Sequence, residues 1–186
     1  MKRFAWVGLA TLLLASCSAS EQLPVLPVET NFELIGPEGR SYALQDFNGQ
    51  VVWLYFGFTR CPDYCPTTLS KLSQARRLID FRRERIRTIM ITVDPDHDTA
   101  RRLQDYLRGF DEQAVGLTGP PEEIHRVASR YRASFARVEL ETGGYTVDHS
   151  TYLYLLDDQG QLRHLFRHDS TPQQIAATTR LLLPAF

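Results

Sequence analysis

Two cysteines four residues apart, Cys61 and Cys65 in "YFGFTRCPDYCPTTL", are the residues of this 186-residue chain best suited to chemistry. A thiol pair at that spacing can chelate a soft metal, form a disulfide, or attack a substrate through one thiolate. Of the three cysteines, the third is Cys17, which closes a leader. Lys2 and Arg3 precede an uncharged apolar run from Phe4 to Ala15, so that residues 1–16 have the form of a secretory signal too short to span a membrane. Leu14-Ala15-Ser16-Cys17 follows a bacterial lipobox pattern, in which cleavage precedes the cysteine and the lipid is attached to it. With Cys17 committed to an anchor, Cys61 and Cys65 are the only free thiols of the exported chain and are most simply partners.

Without Lys2 and Arg3 the chain carries 19 basic against 22 acidic residues, a formal charge of −3, and offers no basic surplus for nucleic acid. Arginines do cluster in "ARRLIDFRRERIR", residues 75–87, but Asp80 and Glu84 interrupt them, as on a solvated helix face and its exit loop. Residues 17–30, polar and proline-containing without periodicity, read as a lipid-anchored tether. Residues 31–186 are long enough for one domain with a substantial core, which two thiols could not replace as a disulfide framework.

The elements that must position the thiols follow from patterning. "NFELIGPEGRSYALQDF" alternates on either side of a Gly-Pro-Glu-Gly turn and predicts an N-terminal β-hairpin. "VVWLYFGF", residues 51–58, is a continuous apolar run, as in a strand covered on both faces. Leu69, Leu72, Ala75 and Ile79 recur at helical intervals, predicting a helix over 66–80 that opens at Pro66, with Cys65 as its N-cap and Cys61 in the preceding loop. "RTIMITVD" is a second buried strand, and "DPDHDT" after it reads as a turn in which Asp98 or Thr99 caps the next helix. A second reading of that motif places Asp94 or Asp96 beside the thiols, where a carboxylate would tune them.

Further strands are predicted at "AVGL", "FARVEL", "TYLYLLD" and "LRHLF", with a helix opening at "TGPPEEIHRVASRY" and a last one at Thr171 and Pro172. This order implies an α/β protein with a mixed central sheet flanked by helices. With a cysteine pair between the first long strand and the first helix, the architecture is thioredoxin-like.

A thioredoxin-type pair has two intervening residues; here there are three, which leaves room for disulfide closure or for a chelate. Thiolates at a helix N-terminus gain from its unpaired N–H groups, while Asp63 opposes their charge and Arg60 partly compensates. Among five histidines, His97, His125, His164 and His168 have plain surface or turn readings. His149 in "YTVDHSTYLYLLD" differs, because it immediately precedes an apolar strand expected beside the first one, which brings it to the cysteine helix. Two thiolates and an imidazole suit copper, as Cu(I) on the sulfurs or Cu(II) with the nitrogen added. A structural zinc site would want a fourth ligand that the sequence does not offer.

"YFGFTRCPDYCPTTL", "VDPDHDT" and "VDHSTYLYLLD", in that order over roughly residues 30–185, resemble the SCO/SenC family of membrane-tethered, copper-binding thioredoxin-fold proteins. The resemblance implies that Cys61, Cys65 and His149 bind copper. It also implies a role in maturing the binuclear copper centre of cytochrome c oxidase, by delivering copper, by reducing the target cysteines, or both. The implied partners are the copper-receiving oxidase subunit and other periplasmic copper carriers or thiol reductants. The implied location is the bacterial cell envelope, lipid-anchored, with the domain facing the periplasm or the cell exterior. Many members have a histidine just before the first cysteine where this chain has Arg60, a position that is not a ligand in the family pattern.

Three other readings compete. A thiol-disulfide oxidoreductase would use Cys61 and Cys65 as its redox pair and need no histidine. A thiol peroxidase would want its proline and threonine ahead of the reactive cysteine, whereas Pro66 and Thr67 follow Cys65. A purely structural disulfide would close too small a loop to add much stability.

Overall fold

In the computed structural model, residues 23–183 are described, so the signal sequence, Cys17 and the start of the tether lie outside them. Val51–Gly57 forms β3, in which every residue is buried. It pairs in parallel with β4 (Ile86–Thr92) and antiparallel with β8 (Leu153–Leu156), so it occupies the middle of the sheet, where a fully apolar run belongs. β5 (Val115–Leu117) adds parallel to β4, and β9 (Leu162–Phe166) adds antiparallel to β8. The resulting mixed five-stranded sheet, ordered β5-β4-β3-β8-β9, is flanked by helices, as the sequence predicts.

β1 (Glu33–Ile35) and β2 (Ser41–Ala43) make the expected N-terminal hairpin, and a bridge from Ile35 to Thr118 ties it to the end of β5. α1 (Tyr64–Ile79) buries Cys65, Leu69, Leu72, Ala75 and Ile79 and packs on α4 (Pro172–Arg180). α4 opens as predicted: Thr171 accepts from the Gln174 N–H and the Gln174 side chain reaches back to the Thr171 N–H, closing a capping box ahead of Pro172. α2 (Ala100–Arg108) is capped by Thr99, and α3 (Pro121–Arg130) follows β5.

Three local expectations change. α1 begins at Tyr64, two residues before Pro66, because the Asp63 carbonyl accepts the first helical bond from the Thr67 N–H; Cys65 therefore lies inside the first turn and is not its cap. His149 ends a strand, β7 (Tyr145–His149), that pairs with β6 (Phe135–Glu139) in a separate two-stranded sheet. Its turn uses Gly143 and Gly144 at φ 85° and 82°, a conformation that suits residues without Cβ. Finally, the described part of the tether is docked on the domain. Leu26 N–H donates to the Leu162 carbonyl at 2.8 Å, Arg163 donates to the Leu23 carbonyl, and Leu23, Leu26 and Val28 pack on the core. Its apolar residues, spaced between prolines, are what the composition of a tether conceals.

The sheet is joined to α4 through a polar contact in the core: Trp53 donates its indole N–H to Thr179 Oγ1 at 2.9 Å, with both residues fully buried. Thr179→Val keeps the shape but strands the indole donor, and it should lower unfolding free energy by about 1–3 kcal/mol. Urea denaturation followed by circular dichroism would register this as a lower midpoint with an unchanged m-value.

Candidate metal centre

β3 delivers the chain to the site. After Gly57 comes buried Phe58, then Thr59, whose backbone N–H and hydroxyl donate to Asp98 at 2.9 and 2.5 Å. Asp98 also accepts from Thr92 Oγ1 at 2.9 Å and is fully buried. Its carboxylate thus joins the end of β4 to the start of the thiol loop, while Thr99 alone performs the helix capping. Asp94, the other end of that motif, accepts from Arg60 Nη2 at 2.9 Å. It therefore sits beside the thiol loop through Arg60, and Asp96 is exposed; the carboxylate whose charge bears on Cys65 is Asp98, not the Asp94 or Asp96 of the second reading of "DPDHDT".

Cys61 and Cys65 are 8% and 1% exposed, and neither is in a disulfide. The Cys65 N–H donates to Cys61 Sγ at 3.3 Å, so the first sulfur takes up one of the unpaired N–H groups at the helix start. Gly57 makes room for the second sulfur: a Cβ there would stand 2.7 Å from Cys65 Sγ and 2.8 Å from Tyr55 Cε2. The proton of the pair belongs on Cys65. A hydrogen bond from the Cys65 thiol, with further bonds from the backbone N–H groups at Cys65 and Asp63, lowers Cys61 to about 5 against the opposing effect of burial. Cys65 is raised above the ordinary thiol range, first because it donates that bond and then by burial.

β7 brings the nitrogen. Period-two alternation places Tyr145, Val147 and His149 on one face, with Val147 buried. The His149 ring packs edge-on to Phe58 with centroids 5.9 Å apart, and Nδ1 lies 2.9 Å from the Ser150 carbonyl. Donation from Nδ1 to that carbonyl leaves the Nε2 lone pair for a ligand. One donor atom from each of Cys61, Cys65 and His149 lies within 4.8 Å of the others, the one such group of three or more His, Cys, Asp or Glu among the described residues. The three residues singled out from sequence are thus brought together, and the donor set, two sulfurs and an imidazole, fits a soft or borderline metal.

The site opens on a cleft of about 650 Å³ lined in part by Cys61, Tyr64, His149, Tyr152, Arg167 and His168. His168 stacks edge-on against Tyr64 at 4.5 Å on its rim; His97, His125 and His164 do not line it. Sequence reasoning missed Asp98 as the loop anchor and Gly57 as the space for a sulfur. A glycine ending a fully apolar strand, three residues before the Arg60-Cys61 step, was the available signal for the second.

With this geometry in place, relatives can be compared. A SCO1/SenC family model matches residues 20–183. The chain belongs to the SCO1/SenC family. A SCO2-like protein of Rickettsia felis is 35% identical over 147 residues, 78% of this chain and 72% of the relative. Among solved structures, Bradyrhizobium japonicum ScoI with copper bound has a TM-score of 0.76 at 33% identity, covering 84% of this chain and 99% of that one. Arabidopsis thaliana ScoI with copper bound has a TM-score of 0.78 at 32% identity, covering 83% and 97%. The thioredoxin-like fold is common to this chain and its SCO1/SenC relatives.

In the reduced, metal-free protein, iodoacetamide should modify Cys61 selectively, with a rate that rises through a midpoint near pH 5 and is level by neutral pH. Cys65→Ala removes the main donor and should move that midpoint upward toward the ordinary thiol value of about 8.5. A midpoint near 8.5 in the unaltered pair would contradict the shared-proton arrangement.

Proposed function

We propose that this protein is a membrane-anchored copper chaperone of the bacterial cell envelope. It binds copper through Cys61, Cys65 and His149 and serves the maturation of the binuclear copper centre of cytochrome c oxidase. The observation that carries this reading is the convergence of two sulfurs and one imidazole within 4.8 Å, at the wall of an open cleft. Copper is the cargo. Cys61, already a thiolate at neutral pH, offers the first anionic sulfur; the copper cation then displaces the Cys65 proton, which the pair otherwise retains. Two thiolates satisfy Cu(I), and His149 adds the nitrogen that Cu(II) prefers. Copper bound to relatives at 33% and 32% identity supports the choice of metal.

Release proceeds by ligand exchange. The cleft gives an incoming thiolate access to the Cys61 side of the site, and the copper-receiving subunit of the oxidase is the acceptor. Other periplasmic copper carriers and thiol reductants supply the metal or keep Cys61 and Cys65 reduced. The lipid on Cys17 holds the domain at the membrane, facing the periplasm or the cell exterior.

One observation favours a second reading, reduction of the acceptor's cysteines: the lowered Cys61 sulfur lines the cleft, while Cys65 is buried behind it. Cys61 thiolate would attack a partner disulfide, forming a mixed disulfide and expelling one partner thiolate. Cys65 would then lose its proton and attack Cys61 Sγ, releasing the second partner thiol and leaving the Cys61–Cys65 disulfide, two electrons having passed to the partner. Burial of Cys65 opposes the loss of its proton in this second step.

Titrating the reduced protein with Cu(II) decides between them. Cys61→Ala, Cys65→Ala and His149→Ala should each abolish tight binding and the sulfur-to-copper absorption. His149→Ala that binds Cu(II) with unchanged affinity and spectrum, together with fast disulfide reduction indifferent to His149, would replace the chaperone reading by the reductase one.

A further inference from the structure

The two sulfurs and the nitrogen reach the site on separate pieces of the fold. Cys61 and Cys65 ride on the loop and helix that follow β3, but among the described residues β6 and β7 pair only with each other, and no ladder joins them to the central sheet. A two-stranded hairpin is marginally stable by itself, so the place of His149 depends on what seats the hairpin on the domain.

Asp94 provides such a seat. It is 5% exposed, its N–H donates to Thr92 Oγ1 at 3.0 Å, and its carbonyl accepts from the N–H groups of His97 and Asp98 at 3.0 and 2.8 Å, so the residue is tied into the turn after β4. Its two carboxylate oxygens take partners from the two separate pieces. Arg60, the residue before Cys61, donates to Oδ2 at 2.9 Å, and Tyr145, on the same face of β7 as His149, donates its hydroxyl to Oδ1 at 2.8 Å. The Arg60 guanidinium also lies over the Tyr145 ring at 4.3 Å, and Arg137 of β6, held by Glu139, lies over that ring at 3.7 Å. The buried carboxylate needs both donors, and the ring attracts both cations.

We propose that Arg60, Asp94 and Tyr145 form a clasp that fixes the β6–β7 hairpin to the thiol loop and thereby sets how well His149 serves as the third ligand. Arg60 and Tyr145 are positioning residues: neither supplies a donor atom to the metal. Tyr145 and His149 are four residues apart on one strand, about 13 Å at ~3.3 Å per residue, so the clasp and Val147 between them hold the strand at intervals along its buried face. The inference rests on the copper reading above, and it gives the position before Cys61 a purpose that no ligand role supplies.

The test uses the full chain in detergent with Cys17→Ser, so that Cys61 and Cys65 are its only thiols. Tyr145→Phe keeps the ring beside both arginines and removes only the bond to Asp94; Arg60→Gln removes the other arm. In the metal-free reduced protein, amide hydrogen exchange across Phe135–Glu139 and Tyr145–His149 should quicken about tenfold in either variant, with β3 and β4 unchanged. Cu(II) affinity should fall about tenfold, Cu(I) affinity should hold, and in a His149→Ala background Tyr145→Phe should cause no further loss. Unchanged hairpin exchange, equal losses for both oxidation states, or additive losses with His149→Ala would each overturn the clasp. A loss in His149→Ala without one in Tyr145→Phe overturns this inference alone; no loss in His149→Ala overturns the copper reading and this one with it.

Discussion

One proton shared between two sulfurs is the interaction around which the site is arranged. Cys65, buried at the start of α1, keeps the proton and points it at Cys61, while its own N–H and the other groups at the helix mouth hold negative charge on Cys61. The division follows first from that hydrogen bond and then from burial, which is deeper for Cys65 than for the sulfur on the cleft wall. A pair so divided has one sulfur ready for a cation or a disulfide and a second that commits only when something displaces its proton. Copper and a mixed disulfide can both do so, which is why the same two residues support two chemistries.

That arrangement needs a rigid frame, and polar groups inside the domain supply much of it. Asp98 fixes the entry to the thiol loop through Thr59 and Thr92, and Asp94 links Arg60 to Tyr145. A buried carboxylate is costly unless its lone pairs are satisfied, so each of these residues dictates where its donors stand. Gly57 completes the frame from the other side by admitting a sulfur where a methyl group would collide. The hydrophobic sheet carries these groups; the geometry of the thiols is set by the polar contacts at the C-terminal ends of β3 and β4.

Much of this was legible in the chain. The all-apolar run of β3, the helical spacing of Leu69, Leu72, Ala75 and Ile79, the Gly-Pro-Glu-Gly hairpin and the Thr171-Pro172 helix start are local patterns with local causes, and they appear where the patterns put them. α1 starts two residues before Pro66 because the preference of the residue before proline gives way to the bond from Thr67 to Asp63. β7 does not stand out in the sequence, because Tyr145, Val147 and His149 alternate over too few residues, and their strand gains its meaning only by pairing with β6. Likewise Asp98 looked like a cap, since an aspartate before a helix serves that role when nothing deeper competes for it; Thr59 and Thr92, distant in sequence, do compete.

The sequence by itself determined the donor types, the helix that presents the thiols, the leader pattern ending at Cys17 and the fold class, because each depends on neighbours within a few residues or on summed hydrophobicity. It also determined the family. Only the tertiary structure decided which sulfur holds the proton, how His149 arrives and what Arg60 holds. Those outcomes depend on burial and on contacts between residues as distant as Arg60 and Asp94 or Asp94 and Tyr145, and neither burial nor a bond across tens of residues is written in any local stretch of the chain.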